Sequence, residues 1–185
     1  MFEVFLVFIF CVLIFLTDVV WVKIFLLVLA VLLVLPGIYA MYYGAPCVPS
    51  LKKAVRAIFL LGNFGKKDSV VELGCGRGQI IRKIALSGVK KAVGYELSIP
   101  TYMVAKVSNL LCRSRAEIRF GNFWNKDFCD FNVIVCFLMK DTMRKFEKDI
   151  WPDLKKGTRV LANAFGMPNV KYSKKMDGVY LYVKK

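Results

Sequence analysis

The stretch 70-VVELGCGRGQII-81 joins an apolar run to a helix start through glycines at 74, 76 and 78. Val70, Val71 and Leu73 read as a short buried strand. The alternating glycines read as a turn lined by backbone, because residues without a Cβ allow a sharp bend and the close approach of a ligand. From Gln79 the pattern is helical to about residue 87, where Gly88 ends it. In an open parallel sheet, ligands sit outside the carboxyl ends of the strands, where the strand order reverses. A glycine turn directly after a first strand lies at that place. The GxGxG spacing alone also suits a purely structural turn.

The rest of the body alternates strands and helices. Residues 51–64 carry apolar side chains at helical spacing with lysines and Arg56 opposite, an amphipathic helix. Residues 69–73, 91–96, 116–120, 132–138 and 158–164 read as strands. The run 132–138 (NVIVCFL) is apolar throughout, as for a strand covered on both faces. Residues 99–112 read as a helix with Ser98 as cap before Pro100, and 142–154 as another. Residues 169–173 and 179–183 alternate in polarity around an Asp177-Gly178 turn. The prediction is an α/β fold: a mostly parallel sheet with right-handed crossovers and an antiparallel hairpin at its end.

Two carboxylates sharpen the reading of the turn. Glu72 lies just inside it, and Glu96 ends the second strand. An acidic group at the second position accepts hydrogen bonds from ribose hydroxyls, although a strand-end surface charge would look the same. A dinucleotide calls for GxGxxG with a helix N-terminus aimed at pyrophosphate. The spacing here is 74, 76, 78, and Glu72 would repel that anion. Glu72 suits a cationic ligand end instead. A nucleoside carrying an amino acid, S-adenosylmethionine, fits both carboxylates.

The 185-residue chain is 57% hydrophobic with a net charge of +15, and both properties are unevenly placed. Residues 1–44 hold only three charges, Glu3, Asp18 and Lys23. The remainder is strongly basic. Residues 2–16 and 24–43 are long apolar runs. At about 1.5 Å per residue the second reaches roughly 30 Å, a bilayer core, and the first falls short of it. The expectation is an N-terminal anchor of transmembrane helices, two rather than one, turning near Thr17, Asp18 and Lys23. Lys52, Lys53 and Arg56 after the second run place the body on the cytoplasmic side of the inner membrane. Gly44, Pro46 and Pro49 break the helix into a stiff connector. The chain has no histidine, which argues against hydrolases built on Ser–His or Cys–His pairs. Its six cysteines show no CxxC and no pairing rhythm, so no metal site and no disulfide framework is expected.

VVELGCGRG followed by VGYELS resembles motifs I and II of the class I S-adenosylmethionine-dependent methyltransferases. PCVPS ahead of an amphipathic helix, then RFGNFWNKDF and NVIVCFLMKDTM, is similar in order and spacing to a narrower group. That group is the membrane-anchored protein-lysine N-methyltransferases that modify the c subunit of ATP synthase and the adenine nucleotide translocase, with their prokaryotic relatives. The resemblance implies a Rossmann-like methyltransferase sheet, with residues 1–44 as membrane anchor, 45–68 as connector and amphipathic helix, and 69–185 as the methyltransferase domain. It implies a cofactor site of Glu72, Gly74, Cys75, Gly76, Gly78, Glu96, Leu97, Asn122 and Phe123. Asn122 stands where the family often has Asp facing the adenine. Leu138 and Met139 would border the methyl-transfer site, and residues 46–49 would help to close it. Tyr95 and Tyr102 are candidates to orient an amine, and both also suit plain packing.

The expected partners are a lipid bilayer and a membrane-associated protein substrate with a reactive lysine. A nucleic acid is not expected: adenine-modifying enzymes follow the fourth strand with [DN]PP[FYW], and FLMKD stands here. A phospholipid N-methyltransferase, which the anchor and basic face also suit, and an inactive membrane-tethered interaction module are the alternatives.

Overall fold

The computed structural model describes residues 2–16, 18–43 and 50–185. Met1, Thr17 and residues 44–49 lie outside the described residues. The expected break at Gly44, Pro46 and Pro49, and the closing role of 46–49, fall there.

Seven strands form one sheet: β1 (Ser69–Leu73), β2 (Lys91–Glu96), β3 (Glu117–Phe120), β4 (Val133–Cys136), β5 (Arg159–Asn163), β6 (Lys174–Met176) and β7 (Val179–Val183). Their order is β3-β2-β1-β4-β5-β7-β6. The first five pair in parallel. β7 runs antiparallel to β5, and β6 antiparallel to β7. This is the expected mostly parallel sheet with a terminal antiparallel hairpin. The order reverses at β1, between β2 and β4, so the glycine turn stands at the switch point.

Alternation along the strands builds two apolar layers. Val71, Leu73, Val93, Ile134, Cys136 and Val160 face Phe146 and Met143 of α6 (Lys140–Asp149). Val70, Ala92, Val133, Val135 and Leu161 face the other way. That second layer is covered by α3 (Lys52–Gly62), α4 (Gln79–Leu86) and α5 (Ile99–Leu111), through Ile58, Ile81, Ile84 and Ala105.

The amino ends of β1, β4 and β5 are tied together. Asp68 accepts from Asn132 Nδ2 at 2.7 Å and from Arg159 Nη2 at 2.6 Å. Arg159 also donates to the Gly62 carbonyl at the end of α3.

Several expected boundaries shift for local reasons. β4 stops at Cys136, not 138: β1 ends opposite it at Leu73, and its last pair on the other side is with Ala162 of β5. The helix expected over 142–154 begins at Lys140 and yields at Ile150 to a 3-10 turn, Trp151–Asp153, where Pro152 removes an N–H donor. The strand expected at 169–173 is instead Lys174–Met176. Asp177 (φ 47) and Gly178 (φ 81) form a two-residue turn, and such a turn fixes Met176 opposite Val179. Ser98 precedes α5 but makes no side-chain capping bond.

The N-terminal expectation is corrected. Among the described residues no helix is long and apolar enough to cross a membrane, so the transmembrane helices are not found. α1 (Phe2–Leu16) has 15 residues, roughly 22 Å of helix against about 30 Å of hydrocarbon. α2 (Val20–Tyr43) is longer and carries Lys23 near its start. α1 packs on α2, and α2 rests against α5.

Candidate functional site: a glycine turn between two buried glutamates

The turn after β1 is shaped by its glycines. Gly74, Gly76 and Gly78 have φ of 69°, 54° and 71°, a left-handed region that favours residues without a Cβ. At Gly78 a Cβ would also come within 3.0 Å of Arg82 Nη1 and 3.2 Å of Ile118 Cδ1. At Gly74 a Cβ would meet nothing within 4 Å: this backbone borders open space. The turn is pinned by Cys75 N–H donating to the Tyr95 carbonyl at 2.8 Å and Gly78 N–H donating to the Cys75 carbonyl at 2.8 Å.

Both glutamates are buried, and both lie on the α4–α5 side of the sheet. Glu72 Oε2 accepts from the Ile81 N–H at 2.9 Å, in the first turn of α4. Burial pushes the Glu72 carboxyl up to about 8 against the pull of that N–H, and the Glu96 charge adds to the push. Glu96 ends β2 and gathers backbone from two loops. Its Oε2 accepts from Gly76 N–H at 2.9 Å, and its Oε1 accepts from the N–H groups of Leu97 at 2.9 Å and Ser98 at 2.8 Å. The Glu96 carbonyl accepts from Gly121 N–H at 2.9 Å, which brings the turn after β3 to the same place.

Asn122 follows in that turn, and its Oδ1 accepts from Trp124 N–H at 3.0 Å. Phe123 is buried with its ring 4.8 Å from that of Trp124. The nine candidate cofactor residues are therefore carried by β1, β2 and the turns after β1, β2 and β3, which this bonding network draws together.

The other candidates divide. Met139, just after β4, is exposed, while Leu138 is buried against the α6 layer. Tyr102 on α5 is half-buried, its ring 5.6 Å from that of Phe120. Tyr95 is a core residue. Its ring lies in the α6 layer, opposite the face of the two glutamates, and its hydroxyl accepts from Arg119 at 3.3 Å. Cys136 is buried and its thiol is pushed up to about 12 by that burial and by Glu72, so it is no thiolate nucleophile.

Three contributors were missed. Gly94 is the place where Cys75 packs onto β2: a Cβ there would lie 2.8 Å from Cys75 Cβ and Sγ. A glycine inside a strand is the signal for such an approach. Gly121 (φ 138) supplies the turn after β3. The third is Ser98, read as a helix cap. Its Oγ is buried without a hydrogen-bond partner, one residue beyond Leu97 and beside the Glu96 carboxylate. A buried hydroxyl left unpaired is a place for a ligand atom. With the open space at Gly74 and the acidic residue under the turn, the donor set fits a nucleoside with a cationic end.

Comparison with known proteins agrees. Residues 72–174 match the family model of the ANTKMT methyltransferase domain. A protein-lysine N-methyltransferase of Saccharolobus islandicus (strain REY15A) is 34% identical over 149 residues, 75% of this chain and 92% of that protein. A lysine N-methyltransferase of Mus musculus, named for the ATP synthase c subunit, is 27% identical over 125 residues, 66% of this chain and 50% of that protein. The chain thus spans about half the length of that relative. Among solved structures, an RNA methyltransferase from Salinibacter ruber in complex with S-adenosyl-L-homocysteine superposes with a TM-score of 0.68 at 23% identity, over 74% of this chain and 93% of that one. At that identity the likeness concerns the fold. The cofactor is S-adenosylmethionine, and the chain belongs to the ANTKMT methyltransferase-domain family as an S-adenosylmethionine-dependent methyltransferase.

Proposed function

We propose that the protein methylates the ε-amine of lysine in another protein. The observation that carries this is the likeness to the Saccharolobus islandicus protein-lysine N-methyltransferase along 92% of that protein. The cofactor supplies a methyl group on a sulfonium. Bound here, that methyl would pass to the neutral amine nitrogen, the sulfur would leave as a neutral thioether, and the methylated ammonium would give up its proton to solvent.

The work left to the chain is alignment, exclusion of water and keeping the amine neutral. Glu96 and the Ser98 hydroxyl hold the ribose side, Glu72 faces the cationic end, and Asn122 and Phe123 border the base. Met139 and Leu138, on the loop that leaves β4, give an apolar border to the transfer site. An amine's ordinary pKa is about 10.4, and burial beside a second cation lowers it. No histidine is needed for this chemistry.

We further infer a working place at an anionic lipid surface, with the catalytic domain on the cytoplasmic side. Exposed apolar side chains on α1 and α2, Phe15, Trp21 and Phe25 among them, support it, as does the basic remainder of the chain.

Incubation of the purified chain with methyl-labelled cofactor and a protein extract tests the reading. Acid hydrolysis should return the label as methyl-lysine. Label that partitions into chloroform instead would identify a phospholipid amine as the acceptor and overturn it.

A further inference from the structure

A second concavity opens beside the methyl-transfer border. It is a pocket of about 170 Å³ whose lining includes Lys140, Arg144, Phe165, Gly166 and Tyr180. Lys140 directly follows Met139, so the pocket adjoins the border of the methyl-transfer site. Its lining holds two cations and no carboxylate.

The pocket is held in shape by bonds from both walls. Ala164 N–H donates to the Gly178 carbonyl at 2.9 Å, and Met167 N–H donates to the buried Tyr182 hydroxyl at 2.8 Å. A Cβ at Gly166 would collide with that hydroxyl and crowd the Tyr180 ring. Asn169 N–H donates to both Glu147 oxygens at 3.1 and 3.2 Å, which fastens the loop to α6, the helix that carries Lys140 and Arg144. Glu147 is thus turned to the loop backbone. The carboxylate that does meet Arg144 is Asp141, at 3.3 Å, with both side chains largely exposed, an ion pair that water already weakens. Lys175 lies over the Tyr180 ring, 4.4 Å from its centroid, and adds positive charge to the rim.

We propose that Lys140 and Arg144 form a subsite for an acidic residue flanking the target lysine of the protein substrate. This rests on the lysine reading above. A carboxylate can take the Arg144 fork and the Lys140 ammonium together, while the Phe165 and Tyr180 rings border its aliphatic stem. Such an anchor would set which lysine enters and leave cofactor binding alone.

The test is a set of lysine-centred peptides whose flanks carry Asp or Glu, Ala, or Lys, with the full chain and methyl-labelled cofactor. Acid-flanked peptides should show the lower KM. The Lys140→Glu/Arg144→Glu variant should raise that KM by about fivefold to tenfold and favour Lys-flanked peptides instead. Its affinity for S-adenosylhomocysteine, measured by calorimetry, should match the parent, which also shows that it folds. The control is Lys155→Glu/Lys156→Glu, an equal change of charge at the far ends of the strands, and it should keep the parent's preference. Methylation of all peptides alike, or a preference that the control shifts as much as the Lys140/Arg144 variant does, overturns the subsite. Cofactor binding with no label on any lysine overturns the lysine reading, and the subsite falls with it.

Discussion

Oε2 of Glu96 accepts a 2.9 Å hydrogen bond from the backbone N–H of Gly76, twenty residues earlier in the chain. One carboxylate thereby fixes the glycine turn after β1 while its second oxygen fixes the turn after β2. The residue assigned to the ribose also builds the crevice around it. Glu96→Ala should weaken S-adenosylhomocysteine binding by about 1–3 kcal/mol, the worth of lost charge-assisted hydrogen bonds, and should lower thermal stability as well. Calorimetry reads the first and a melting curve the second. An unaltered affinity would remove Glu96 from the site.

Glu72 gives a pH dependence of definite sign. Its carboxyl is pushed up to about 8 in the folded chain, from 4.5. Between those values the unfolded chain has lost the proton and the folded chain keeps it. Stability of the ligand-free protein therefore falls as pH rises through that window, by about 1.4 kcal/mol per unit at most, and no further once pH passes the folded value. Glu72→Gln keeps an oxygen for the Ile81 N–H and cannot ionise, so its stability should be flatter from about pH 5 to about pH 8. Urea unfolding across about four pH values checks this, and parallel curves for the two proteins would refute it.

The sheet and the first two turns of the site were legible because their signals are local. Val70 to Leu73, the glycines and Glu96 lie within a single strand–turn–helix–strand unit. The N-terminal runs did form helices, α1 and α2, but α1, at 15 residues, falls short of a span of about 20. Gly94, Ser98 and the Lys140–Arg144 pocket were not legible for a different reason. Each acquires its meaning only in the fold: Gly94 from its approach to Cys75, the pocket from the loop after β5, and Ser98 from the burial of its hydroxyl, which its place two residues after Glu96 does not reveal. Tyr95 illustrates the converse, a residue beside the motif whose strand alternation turns it to the opposite layer.

The contact between Gly94 and Cys75 predicts an overpacking defect near the site. Gly94→Ala puts a methyl 2.8 Å from Cys75 Cβ and Sγ, with β1 on one side and β3 on the other leaving little room to yield. A loss of about 1–3 kcal/mol of stability follows, together with weaker cofactor binding, because Cys75 carries the backbone between Gly74 and Gly76. Chemical denaturation and calorimetry on one sample separate the two effects. A variant as stable as the parent would mean that the two strands part more easily than the packing implies.

Asp68 and Arg159, paired at 2.6 Å, govern stability from the amino ends of the strands, the end opposite the cofactor. Burial raises the Asp68 carboxyl, but the Gly65 N–H and the Arg159 and Asn132 side chains outweigh it, and the group lies below its ordinary range. A depressed carboxylate contributes stability that is present above its unfolded pKa and is lost as pH falls through the folded one. Asp68→Ala leaves the mostly buried Arg159 without its carboxylate, at a cost of roughly 2–4 kcal/mol at pH 7. The gap between variant and parent should narrow as pH is lowered well below the ordinary aspartate value of about 3.9, because the parent's carboxylate, held below that value, then takes up its proton as well. Affinity for S-adenosylhomocysteine should not move at pH 7, since no bond of this network reaches the glycine turn. Urea midpoints at both pH values, with one binding titration, decide it: a gap that stays constant with pH would assign the loss to packing rather than to the charge.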